Sequence, residues 1–170
     1  MRILMILTAG SGERSSRSLT LEQVIEAYYL LRDSGTEVVI ASSRGGDPPI
    51  RGGRRHSGPG AYSNQRLQGE RDARDAISDT LKLEQIYPEE FDGVICIGAL
   101  EDPDHLADVE AARCLLGQLL AAGKPAAIIP SELELGSQGA FEGLLIAGEE
   151  MCRPSMAAKA ILAALNNRGH

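Results

Sequence analysis

Apolar runs alternate with helix-patterned segments along this chain, and few architectures can absorb such an order. Arg2 to Thr8 (RILMILT) is a continuous apolar run ending in Gly and Ser, the pattern of a strand covered on both faces. Thr20 to Ser34 reads as a helix: Thr20 with Gln23 three residues later forms a capping-box pattern, and Gly35 stands where a C-terminal cap belongs. Val24, Ala27, Tyr28 and Leu31 give it one apolar stripe. Thr36 to Ala41 (TEVVIA) is a second strand, rich in β-branched residues, and Asp92 to Gly98 (DGVICIG) a third.

The later elements follow the same order. Asp102 and Pro103 suit a helix start, Leu106, Val109, Arg113, Leu116 and Leu120 keep near-helical spacing, and Gly123 ends the helix. Pro125 to Ile129 is the fourth strand, Leu144 to Ala147 a short fifth, and Ser155 to Leu165 a closing helix. Arg71 to Ile86 reads as a charged amphipathic helix with Ala73, Ile77 and Leu81 inward. Between them, residues 43–70 are dense in Gly, Pro, Ser and Arg without periodicity, and read as a long flap. The expected fold class is α/β: a flavodoxin-like, doubly wound, mostly parallel sheet with helices on both faces, built as one domain over residues 1–170.

Composition narrows the function classes. A formal charge of −7 argues against nucleic acid or an anionic membrane as the main partner. The start, MRILMILTAG, has the outline of a weak signal peptide, but its short core and missing A-x-A site fit a buried first strand better. Cys96, Cys114 and Cys152 are odd in number and widely spaced, which fits a reducing cytoplasm rather than a disulfide framework. His56, His105 and His170 are scattered, so no metal or other cofactor is expected.

In open α/β sheets, ligands bind at the carboxyl ends of the strands, where strand order reverses. After the first strand, Gly10, Gly12 and Ser15 approach the dinucleotide fingerprint. That fingerprint needs a helix to start at once, and here the best cap lies about eight residues on, so a flexible loop is the plainer reading. Ser43 and Arg44 suit a 2′-phosphate only if that glycine turn works. Arg44, Arg51, Arg54, Arg55 and Arg66 in the flap suit an anionic ligand, against the commoner outcome of a solvated loop. Tyr62 is the one aromatic near the flap's middle, so stacking on nucleic acid bases has little support.

Several stretches together resemble the ThiJ/PfpI superfamily of class I glutamine-amidotransferase-like folds: FDGVICIG, AAGKPAAII, SGTEVVIASSRGGDPPI and GLLIAG. The resemblance is nearest to the glyoxalase III and heat-shock-chaperone branch, through Ser43, Gly45, Gly46, Pro48 and Pro49, and covers nearly the whole chain. The segment from Ser131 to Glu142 is shorter than in that branch, so the chain looks trimmed there. The resemblance implies a cysteine nucleophile on a tight turn after the AAII strand, a following His, a glutamate from the first helix, and a Gly-Gly pair offering N–H groups to an oxyanion. In this chain those positions hold Pro130, Ser131, Gln23 and Gly98-Ala99.

The proline bears directly on the chemistry. A nucleophile elbow holds its residue with φ above zero, whereas proline locks φ near −65° and lacks the N–H. The family's cysteine chemistry is therefore expected to be absent, and a carboxylate that poises a thiol has no task, which fits Gln23. Other groups deserve weighing as relocated catalysts. Ser131 has a hydroxyl, but with Glu134 it reads more simply as a helix cap. Cys152 has Arg153 and a helix start nearby, and is otherwise an incidental thiol. His105, Glu149 and Glu150 stand near the same edge and read equally well as exposed side chains, while Cys96 and Cys114 read as core.

The resulting expectation is a catalytically degenerate protein, a pseudoenzyme, whose pocket (Gln23, Gly98, Ala99, Pro130, Ser131, Glu149) binds a small molecule or a partner protein. A homodimer is expected from the resemblance and from the general bias toward symmetric pairs. The alternative is a hydrolase or lyase on a small carbonyl or amide substrate, using Ser131, His105, Glu149 or Cys152. A more distant one is a chaperone-like stress protein.

Overall fold

The computed structural model describes residues 1–8, 20–48, 61–98, 106–129, 143–147 and 153–168. Among them, six strands form one sheet in the order β3-β2-β1-β4-β5-β6. The strands are β1 (Arg2–Leu7), β2 (Glu37–Ser42), β3 (Leu81–Lys82), β4 (Gly93–Ile97), β5 (Ala126–Ile129) and β6 (Leu145–Ala147). The helices are α1 (Leu21–Asp33), α2 (Ala61–Gly69), α3 (Arg71–Ser78), α4 (Leu106–Ala121) and α5 (Pro154–Arg168). Every strand pairing among these residues is parallel, with Met5 opposite Ile40 on one side of β1 and Ile95 on the other.

The continuous apolar runs follow from this layering. Ile3, Met5 and Leu7 point into a core shared with Val24, Ile25 and Leu31 of α1 and Ala158 and Ile161 of α5. Leu4 and Ile6 point the other way, into a core with Leu116, Leu119 and Leu120 of α4 and with Leu83, Ile86 and Phe91. A strand sandwiched between two cores has no solvent face on which to place polar residues. Each fully buried Leu, Ile or Met side chain contributes about 1.5–3 kcal/mol, and Ile3 to Leu7 are all 0% exposed.

The first helix begins as its sequence predicts. Gln23 N–H donates to Thr20 Oγ1 at 3.4 Å and Thr20 N–H donates to Gln23 Oε1 at 3.1 Å, completing the capping box. Gly35 follows the helix with φ +78°, the left-handed conformation that a helix exit of this kind favours.

The region 61–86 departs from its sequence reading. Residues 61–69, read as part of an unpatterned flap, form α2. The expected helix over 71–86 stops at Ser78, and its later part becomes an extra edge strand followed by a 3-10 turn, Leu83–Gln85. Thr80 explains the break. Its N–H donates to Gly46 O at 2.9 Å, and its hydroxyl donates to Gly46 O and meets Ser42 Oγ, each at 2.8 Å. Leu81, expected inward, is 43% exposed, and Leu83 and Ile86 enter the core instead. Cys114, read as a core residue, is exposed, whereas Cys96 is buried. Among the described residues no helix is long and apolar enough to cross a membrane.

Candidate functional site

The sheet order places the reversal of winding between β1 and β4: the chain moves outward from β1 through β2 to β3, then returns to β4 and proceeds the other way. The carboxyl ends meeting there are Thr8, Gly98 and Ile129. They stay zipped one step past the strands, with Thr8 N–H donating to Ile97 O at 3.0 Å and Gly98 N–H to Ile129 O at 2.9 Å. The Gly98 amide is thus engaged by the ladder, not free to hold an oxyanion.

Gly98 is required for a local reason. Its φ is +119°, and a Cβ built there would lie 2.1 Å from Thr8 O and 2.7 Å from Thr8 Oγ1. No side chain fits that approach. The Thr8 hydroxyl is buried and has no hydrogen-bond partner among the described residues. It lies beside the Cys96 thiol. Burial pushes that thiol up to about 12, and the nearby Thr8 hydroxyl opposes the shift only in part. A thiol so far from ionising at neutral pH is no nucleophile.

Gln23 lies on the first turn of α1, exposed, with its side-chain oxygen committed to the Thr20 cap. The amide nitrogen of the same side chain is not used by the cap. The Ser-Arg-Gly-Gly stretch after β2 has a structural task. Gly45 and Gly46 take φ of +68° and +66°, Gly45 N–H donates to Ser42 Oγ at 3.1 Å, and Gly46 bridges Thr80. A Cβ on Gly45 would meet Lys82 Cγ at 2.7 Å. The glycine pair turns the chain and closes the sheet edge onto β3.

Of the residues singled out in the sequence, Ala99, His105, Pro130, Ser131, Glu149, Glu150 and Cys152 lie outside the described residues, as do Gly10, Gly12, Ser15, Pro49, Arg51, Arg54, Arg55 and the tract 131–142. Their neighbours are fixed: Pro130 follows the last residue of β5, and Cys152 precedes α5 by two residues. Thr8 was not singled out from the sequence. The available signal was a lone hydroxyl at the end of an otherwise apolar run, directly at a strand's carboxyl end.

No family model and no curated protein matches this sequence. Solved structures do. The 24 kDa rapid encystment protein of Francisella tularensis aligns at 16% identity and a TM-score of 0.63, over 96% of this chain and 98% of that chain. Glyoxalase III from Candida albicans aligns at 10% identity and a TM-score of 0.65, over 96% of each chain. A ThiJ/PfpI domain protein from Brachyspira murdochii aligns at 14% identity and a TM-score of 0.56, over 98% of this chain and 96% of that chain. At these identities the likeness shows the fold: the α/β, flavodoxin-like arrangement of ThiJ/PfpI domains.

Proposed function

We propose that this chain is a ThiJ/PfpI-superfamily protein without the family's cysteine chemistry, which uses the carboxyl edge of its sheet to bind a small molecule. The observation that carries the reading is the junction after β5. That strand ends at Ile129, beside β4, and the next residue in the sequence is Pro130. Where the resemblance calls for a strained thiol-bearing turn, this chain has a ring-closed residue that can neither adopt φ above zero nor donate an N–H. The engagement of Gly98 N–H by Ile129 O supports the same reading, because one expected oxyanion donor is spent on the ladder. So does the high pKa of Cys96, the described thiol nearest the strand ends.

The test is turnover of methylglyoxal by the purified protein. The expected rate equals that of buffer. A rate above buffer that disappears in Cys152→Ala or Ser131→Ala overturns the reading in favour of a relocated catalyst. For the binding role, a thermal-shift screen of small metabolites is expected to find a ligand whose stabilisation falls in Gln23→Ala, and a screen without any such ligand counts against a retained pocket.

A further inference from the structure

We propose that α2 is a detachable strap, seated on α1 chiefly by the guanidinium of Arg66 and released when that seat is broken. This inference stands apart from what the sheet edge binds. It rests on how little else among the described residues holds the helix. At nine residues α2 is shorter than an isolated helix needs for stability in water. Ser63, Asn64 and the closing Gly69 are poor helix formers. Among its described side chains, Leu67 is the one apolar group packed against a core cluster, and it is only half-buried.

Arg66 does the rest. Its Nη1 lies 2.8 Å from both Asp33 oxygens on the last turn of α1, and its Nε lies 2.8 Å from Glu70 Oε1. The guanidinium carbon lies 4.1 Å from the centre of the Tyr29 ring, which in turn stands edge-on to Tyr28. Glu70, the residue between α2 and α3, completes the seat by accepting from Arg32 Nη1 at 2.7 Å and from Tyr29 OH at 3.4 Å. The hydrogen bond from Arg66 comes first among the causes that hold the Glu70 carboxyl below the usual carboxylate range. Toward the other end of α1, Asn64 Nδ2 reaches Glu22 Oε1 at 3.5 Å, one residue from Gln23. The seated strap therefore touches both the first turn of α1, which faces the candidate site, and the last.

These ion pairs are half-exposed, with side-chain exposure of 29% for Arg66, 33% for Glu70 and 57% for Asp33. Exposed pairs are individually weak and sensitive to salt. A segment with one half-buried apolar anchor among its described side chains and a few such pairs opens more easily than the sandwich beneath it. Arginine is also specific here, because a lysine keeps the charge but loses both the planar fork and the ring stacking.

Hydrogen exchange of the intact protein, followed on peptides from α2 and from α1, tests the proposal. The α2 amides are expected to exchange at least about tenfold faster than those of α1 in the wild type. Raising salt to about 0.5 M, where the screening length falls to about 4 Å, should speed α2 about threefold and leave α1 unchanged. Arg66→Ala should speed α2 about tenfold, and Arg66→Lys nearly as much. Exchange in α2 as slow as in α1 and indifferent to salt overturns the proposal, with no variant needed. So does Arg66→Ala exchange that rises equally in α1 and α2, which makes Arg66 a support of the whole fold, and so does an Arg66→Lys protein identical to the wild type.

Discussion

On one side of β1 lie β4 and β5, whose residues are apolar and buried along the full length of both strands. On the other side β2 leads to β3, and there the chain is joined by hydroxyls and paired glycines, while a guanidinium holds α2 to α1. On the apolar side, Leu4, Ile6, Val94, Cys96 and Ile128 are buried in one core with α4, Leu83, Ile86 and Phe91. The polar side depends on individual atoms. Thr80 must find both Gly46 and Ser42, and Arg66 must find Asp33, 33 positions away. Non-directional burial makes one half of the sheet strong, and directional bonds make the other half specific and easier to open.

Substitutions can break or sharpen this contrast. Gly98→Ala should have the largest effect, about 4 kcal/mol or a failure to fold, because its methyl would enter the Thr8 carbonyl at a left-handed φ. Chemical denaturation measures it, and a loss below about 1 kcal/mol would mean that the close approach of β1 and β4 relaxes at little cost. Leu116→Ala should cost about 3 kcal/mol, since the side chain is 0% exposed and the sandwich around it cannot collapse fully. Thr80→Val should cost about 1–2 kcal/mol by removing its hydroxyl from Gly46 O and Ser42 Oγ. Its signature is local: faster hydrogen exchange around β3 and Gly46, with β1 and β4 unchanged. An equal loss across all strands would erase the distinction between the two sides.

The smallest effect is the pH dependence that Cys96 contributes, which shows only in alkali. Folding raises the pKa of this thiol from the ordinary 9.0 to about 12, so the folded state holds the proton more tightly than the unfolded chain does. Its contribution is fully present below pH 9.0 and is lost as pH rises toward about 12. Cys96→Ala should therefore lose less stability between those limits than the wild type, as measured by denaturation at stepped pH. Equal slopes for the two proteins would mean that the thiol is not isolated from solvent.

The two halves also differed in how readable they were. RILMILT and DGVICIG announce themselves because each residue meets an apolar neighbour on either face, so composition alone carries the information. The capping box of Thr20 and Gln23 was legible for a related reason: both partners lie within one turn. The helix at 61–69 and the strand at 81–82 were not, because what fixes them lies far along the chain: Asp33 for Arg66, Gly46 for Thr80. A helix-like pattern over Arg71 to Ile86 was overridden by those bonds. At the site, a fold-based argument located the strand ends correctly, but the roles of Gly98 and Gln23 required coordinates. Gly98 is demanded by the Thr8 backbone, and the Gln23 oxygen by a helix cap.

The brevity of β3 bears on behaviour in crowded solution. An outer strand with a long row of unpaired amides invites foreign chains to add to the sheet and seed fibres. Here a newcomer would find only Leu81 and Lys82, one of them cationic, before the antiparallel bridge at Thr80 on one side and the 3-10 turn on the other change the backbone direction. The same hydroxyl and glycine contacts that make this margin easy to loosen also leave it a poor template for self-propagating growth.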